Sequence, residues 1–150
     1  MNQNRAASLG YRFGMLSRLN TFFLNNQLKP LGLSAGQVSC LAEILHRDIP
    51  VTQDEISAAM AIDPAATART VELLVKKGLA ARVVNPENRR QNLVSATPAA
   101  KKIAGAFFDA LKNAENNFDV DMTVEERRVL IELMDRMIAS AKRRKHEQRK

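Results

Sequence analysis

Apolar residues at Leu9, Phe13, Leu16, Leu19 and Phe23 recur at steps of three and four. That is the period of one helix face, and it predicts a first helix over residues 4–28. Pro30 and Gly32 end it. Ser34 with Gln37 three positions on has the pairing of a capping box, in which two side chains satisfy each other's free backbone N–H groups. It opens a second helix reaching His46. Ile49-Pro50-Val51 is extended, because the residue before a proline avoids the helical region. Thr52 with Glu55 repeats the capping pair and starts a short third helix ending near Met60. Asp63-Pro64 supplies the N-cap and first residue of a fourth helix. Gly78 closes that helix with the left-handed residue a C-terminus often uses.

The period then changes. Residues 79–84, with β-branched Val83 and Val84, read as a strand; residues 85–90 form a polar turn, and residues 91–96 return as a second strand. Thr97-Pro98 opens a long helix to Phe118. Thr123 with Glu126 opens another, carrying Leu130, Leu133, Met134, Met137 and Ile138 up to a basic tail. The chain is therefore mostly α with a small β-hairpin, an α+β fold.

Composition narrows the function. At 150 residues, 45% hydrophobic and 26% charged, the chain can bury a core without disulfides or metal. The longest uncharged stretch, residues 30–42, is 13 residues, short of the ~20 that span a bilayer. The N-terminal residues lack the apolar run of a signal peptide. One cysteine, Cys40, excludes an internal disulfide, and the expected compartment is the cytoplasm. His46 and His146 lack companions at ligand spacing, so no metal site and no cofactor are expected. No phosphate loop, paired histidines or nucleophile elbow appears, which argues against an enzyme. The net charge of +7 favours a polyanionic partner. Residues 142–150 alone hold six basic side chains against one acidic, as a solvated tail.

The informative part is residues 52–96. Two helices joined by Ala61-Ile62-Asp63 form a helix-turn-helix, and the hairpin after them forms a wing. In the fourth helix Thr67, Val71 and Leu74 share one face; Ala65, Ala66, Arg69, Glu72 and Lys76 share the other. Small residues there allow close approach to base edges, and Arg69 can bond a guanine edge bidentately. Arg89 and Arg90 at the wing tip suit a narrow minor groove. Gln53 and Ser57, early in the third helix, are placed to donate to phosphates.

These residues resemble the MarR-type (multiple antibiotic resistance) winged-helix transcription regulators over nearly the whole chain. The joint Leu28-Lys29-Pro30-Leu31-Gly32-Leu33-Ser34 with Gln37 is similar to the family's joint between its first two helices. Thr52-Gln53 with Ile56 is similar to its third-helix opening, and Asp63-Pro64 through Arg69 to its recognition-helix start. Lys77-Gly78-Leu79 resembles that helix's end. Asn88-x-Arg90, then Leu93, Val94, Ser95 and Thr97, stands where the family has D-x-R and L-T-x-x-G. Asn88 replaces the aspartate, and Ala96 and Ala100 replace the leucine and glycine.

The resemblance implies a winged helix-turn-helix lobe over residues 34–97, with dimerisation helices over residues 1–33 and 98–145. Pro64 and Ala68 join the DNA-facing residues through it. It implies a homodimer on double-stranded palindromic DNA, acting as a repressor. A small aromatic or phenolic ligand would release it, with Tyr11, Phe13, Arg18 and Arg47 as an aromatic wall and counter-charge. Met15, Phe22, Leu24, Phe107, Phe108, Leu130 and Leu133 are more apolar surface than three isolated helices hide, which also favours a dimer. The competing expectation is a winged-helix protein-interaction module, favoured by the near-neutral charge of residues 49–97.

Overall fold

Side chains that take up free backbone N–H groups set most helix starts in this chain. The structure, a computed structural model, describes residues 7–47 and 49–148. The chain divides into two compact units, residues 1–117 and 118–150.

In the first unit Ser8 Oγ accepts from the Tyr11 N–H and opens α1, Leu9–Leu28. The expected start at Asn4 lies outside the described residues. α1 ends at Leu28 as expected, and Pro30 sits in the first turn of the 3-10 segment that follows, Lys29–Leu31. A proline there loses no hydrogen bond, because the first N–H groups of a helix have no internal partner. Gly32, at φ 65°, makes the actual turn. The capping box of Ser34 and Gln37 forms and opens α2, Ala35–Leu45. A two-residue strand β1, Val51–Thr52, leads into α3, Gln53–Met60, and α4 follows at Pro64–Lys76. The hairpin is β2, Ala80–Val84, and β3, Asn92–Ala96. Thr97 then caps α5, Pro98–Glu115.

The three strands form an antiparallel sheet in the order β1-β3-β2, with Val51 and Arg82 both opposite Val94. Val94, on the central strand, is fully buried. The core gathers Leu28, Leu41, Ile44, Ile56, Val71, Leu74 and Phe107 around it. α1 packs on α5, while α2 and α3 pack on α4. Deletion of any of the large core side chains to alanine costs about 2–5 kcal/mol.

Not all of the expected surplus of apolar surface lies outside. Phe107 is at 0% exposure, and Leu24 and Phe108 pack half-buried against the same core. The apolar stripe of α1 does face outward: Leu9, Phe13, Met15, Leu16, Leu19 and Phe22 are exposed.

The second unit carries α6, Val124–Glu147, opened by the capping box of Thr123 and Glu126. None of its side chains is buried. Leu130, Leu133, Met134 and Ile138 are exposed. The expectation of a loose tail from residue 142 is corrected, because α6 continues regularly to Glu147. Lysine and arginine are good helix formers, and cations favour the negative C-terminal end of a helix.

Candidate nucleic-acid interface

Alanine at position 61 turns the chain between α3 and α4. Its φ of 53° is left-handed, the single positive φ of a non-glycine among the described residues. The Ile62 N–H donates to Ser57 O at 3.0 Å and locks the turn. Asp63 then caps α4, its Oδ2 accepting from Ala65 N–H at 3.0 Å and Ala66 N–H at 3.2 Å.

Ser57 does not face outward, contrary to its expected role as a phosphate donor. It is buried, with Oγ 2.8 Å from Gln53 O and 2.9 Å from Thr67 Oγ1. The hydroxyl therefore pins α3 to α4. Gln53 is half-buried, and its Oε1 is enclosed without a hydrogen-bond partner among the described residues.

On α4, Thr67, Val71 and Leu74 face the core. Pro64, Ala65, Arg69, Glu72, Leu73 and Lys76 are exposed, and Ala66 and Ala68 are half-buried. Glu72 pairs with Lys76 at 2.9 Å, which holds its carboxyl below the usual range. The Arg69 guanidinium bonds to no described residue. Leu73, at 49% exposure, is an outward apolar residue that the periodicity did not single out. The far end of α4 is tethered twice. Lys77 Nζ donates to Gly32 O, and Thr97 Oγ1 donates to Gly78 O at 2.6 Å, beside Gly78's left-handed φ of 69°.

The wing tip is built from amide side chains. Asn85 Oδ1 accepts from the Glu87 N–H at 3.0 Å, and Asn88 Oδ1 accepts from the Arg90 N–H at 3.2 Å. Asn88 thus orders the backbone of Arg90 and leaves its guanidinium unengaged. Arg89 and Arg90 are both exposed and their guanidinium groups pair with no described residue. Gln91 Nε2 donates to Asp54 Oδ2 at 3.2 Å, joining the base of the wing to the first turn of α3. This link joins residues 37 positions apart, so no local pattern could reveal it.

Several acidic groups around this face are held in hydrogen bonds that leave their charge in place, while the exposed Glu87 carboxylate in the wing turn bonds no described residue. Glu55 accepts from the Thr52 N–H at 2.7 Å and hydroxyl at 2.8 Å, which lowers its pKa. Asp63 is spent on α4, Asp54 on Gln91. Arg69, Arg89 and Arg90 are exposed cations with no hydrogen-bond or ion-pair partner among the described residues, as is Arg82 on β2. The charges of a segment that is formally close to neutral are thus segregated, with Asp54, Glu55 and Asp63 at helix starts and Arg69, Arg89 and Arg90 on the exposed helix face and the wing tip.

The other candidates fall elsewhere. Cys40 is buried and burial raises its pKa. Tyr11 and Phe13 are exposed on α1, while Arg47 is engaged by Glu43 at 2.5 Å and offers no spare counter-charge. Among the described residues no group of three His, Cys, Asp or Glu side chains could hold a metal. No helix among them is long and apolar enough to cross a membrane.

The sequence description of the MarR family matches residues 31–91. The multiple antibiotic resistance protein MarR of Escherichia coli K12 is 30% identical over 100 residues, covering 67% of this chain and 69% of that protein. This chain belongs to the MarR family. MarR of Salmonella typhimurium is 32% identical over 95 residues, 63% of this chain. The matched part spans 65% of that relative's length, just under two thirds. A crystal structure of MarR superposes with a TM-score of 0.82 at 27% identity, covering 98% of this chain and 99% of the other. A MarR cysteine-to-serine mutant from E. coli, complexed with operator DNA, superposes with a TM-score of 0.79. It is 24% identical and covers 91% of this chain and 98% of its own, a likeness of fold. The MarR match of residues 31–91 runs from the 3-10 joint after α1 to the base of the wing. It therefore covers α3, α4 and the wing-tip arginines described above.

Proposed function

We propose that this MarR-family chain is a transcription regulator that binds a palindromic duplex operator as a homodimer and represses by occupying it. The observation that carries the reading is the placement of three exposed arginines that have no hydrogen-bond or ion-pair partner among the described residues. Arg69 stands on the small-residue face of α4, and Arg89 and Arg90 stand on the wing tip. The helix suits a major groove and the tip a narrow minor groove. Pro64, Ala65, Ala66 and Ala68 give the helix its close approach. Gln53, at the first turn of α3, is retained as a phosphate contact through its amide nitrogen; Ser57 is not.

Two-fold pairing follows from the outward apolar residues of α1 and of α6, which a second copy would remove from water at about 25 cal/mol per Å². A dimer places two reading helices ~34 Å apart and sets an inverted repeat as the target. A small aromatic or phenolic ligand that changes the helix spacing would release it. Moving occupancy from about 1:99 to about 99:1 takes ~5.5 kcal/mol of differential binding. The expected compartment is the one that holds the DNA, the cytoplasm.

A protein-interaction role draws on the exposure of Leu73, Val83 and Val84. A mobility-shift titration separates the two. The DNA reading expects dimers on an inverted repeat, with affinity falling steeply with salt. Duplex binding that ignores both sequence and salt supports the protein-interaction role instead.

A further inference from the structure

The C-terminal end of α6 concentrates charge in a way that the winged helix does not use. Residues 124–141 are balanced, with four acidic and three basic side chains, and Arg128 bonds both Glu125 and Glu132. Residues 142–150 then hold six basic side chains and one acidic. The helix is regular through this run, so Lys142, Arg143, Arg144 and Lys145 are fixed on a rod. At 1.5 Å rise they occupy about 4.5 Å of its axis, and at 3.6 residues per turn they fan around it. Arg143 and Arg144 are exposed and their guanidinium groups bond no described residue.

Helix stability explains only part of this. The dipole favours cations within the last turn, here Arg144, Lys145 and His146. Lys142 and Arg143 precede it. The chemistry of the run also selects among anionic partners. Residues 142–147 contain no apolar side chain. Stable attachment to a bilayer surface combines basic residues with an apolar face or lipid anchor, and a protein partner usually needs a buried aromatic or aliphatic anchor. Backbone phosphates need neither, since charge neutralisation with release of counterions supplies the affinity.

We propose that the C-terminal turns of α6 form a second DNA-contacting element, which grips duplex phosphates without reading bases. The proposal rests on the DNA-binding reading for what this contact adds to operator occupancy, and on its own charge for the contact itself.

The test compares the full-length chain with a full-length Lys142→Gln, Arg143→Gln, Arg144→Gln, Lys145→Gln variant, since glutamine keeps helix propensity. Each is titrated against salt on a random-sequence duplex and on a duplex selected by the parent, with helicity checked by circular dichroism. At ~0.1 M salt the variant should bind the random duplex at least about tenfold more weakly, and its log K against log salt slope should be shallower by ~2–4. Its preference for the selected duplex should rise. An Arg143→Lys, Arg144→Lys variant should keep the parental slope, because phosphate neutralisation needs charge and not a guanidinium fork. An unchanged slope in the glutamine variant, at parental helicity, overturns the proposal. So does a loss shared by the lysine variant, or an effect confined to phosphatidylserine vesicles. If the parent shows no sequence preference and the glutamine variant still loses duplex binding, the winged-helix reading fails and this element stands. If the parent selects a site and the variant matches it in slope, this element alone fails.

Discussion

The hydroxyl oxygens of Ser57 and Thr67 lie 2.9 Å apart in the buried seam between α3 and α4. Either direction of the bond is satisfied. Ser57 can donate to Thr67 while Thr67 donates to Asp63 O at 3.2 Å, or Ser57 can donate to Gln53 O and accept from Thr67. The pair therefore fixes α4 against α3 from inside.

Ser57→Ala removes one member and leaves Thr67 its Asp63 partner. Stability should fall by ~1 kcal/mol, the low end for a buried polar loss. DNA affinity measured well below the unfolding temperature should be retained. Urea unfolding and a duplex titration of the same preparation check both; a large affinity loss without destabilisation would return Ser57 to the phosphate contacts.

Ala61 holds a left-handed φ that costs an L-residue roughly 1–2 kcal/mol. Ala61→Gly relieves that cost, offset by about 0.4–1 kcal/mol of extra freedom in the unfolded chain. The expected result is a gain of ~0.5–1 kcal/mol in urea unfolding, with no change in DNA affinity.

Glu55 and Glu126 each accept from the N–H and the hydroxyl of their capping threonine, and both have lowered pKa values. Those bonds exist only in the folded chain, so the folded pKa lies below the unfolded one. Their contribution is complete above the ordinary glutamate value of ~4.3 and is lost as pH falls through the lowered folded values. Stability should fall at acid pH, and Glu55→Gln with Glu126→Gln should flatten that fall, because glutamine caps without titrating. Unfolding midpoints measured across this range check the sign.

Arg69→Ala should cost ~1–3 kcal/mol on the specific site and relax one base position. Arg90→Ala should instead weaken binding wherever the minor groove is narrow. Competition titrations against single-base variants of the site distinguish them. Uniform weakening by Arg69→Ala makes that residue a phosphate clamp.

Cys40 is a buried thiol with a raised pKa. Thiolate attack is the reactive path, so the native chain should label slowly with a disulfide reagent and fully once denatured. Rapid labelling of the folded chain contradicts the burial.

Much of this was legible because local chemistry left a local mark. Ser34-Gln37, Thr52-Glu55 and Thr123-Glu126 each form the capping box that their spacing predicts. Gly78 ends α4, and the strands lie where β-branched residues cluster. What escaped was settled by tertiary packing. A serine on an eight-residue helix reads the same whether it faces water or, like Ser57, a threonine ten positions on. Phe107 could not be assigned to core over interface by periodicity alone, since both want the same face. The helix through Lys142–His146 escaped because a charge run resembles a disordered end in composition, while lysine and arginine oppose a helix at neither propensity nor dipole.

The most direct test of paired reading heads is selection of bound duplexes from random DNA, followed by footprinting of the enriched sequence. Paired heads require an inverted repeat with half-sites centred about 10–10.5 base pairs apart or a multiple of that, protected by two chains. An enriched single half-site held by one chain, or no enriched sequence at all, contradicts it.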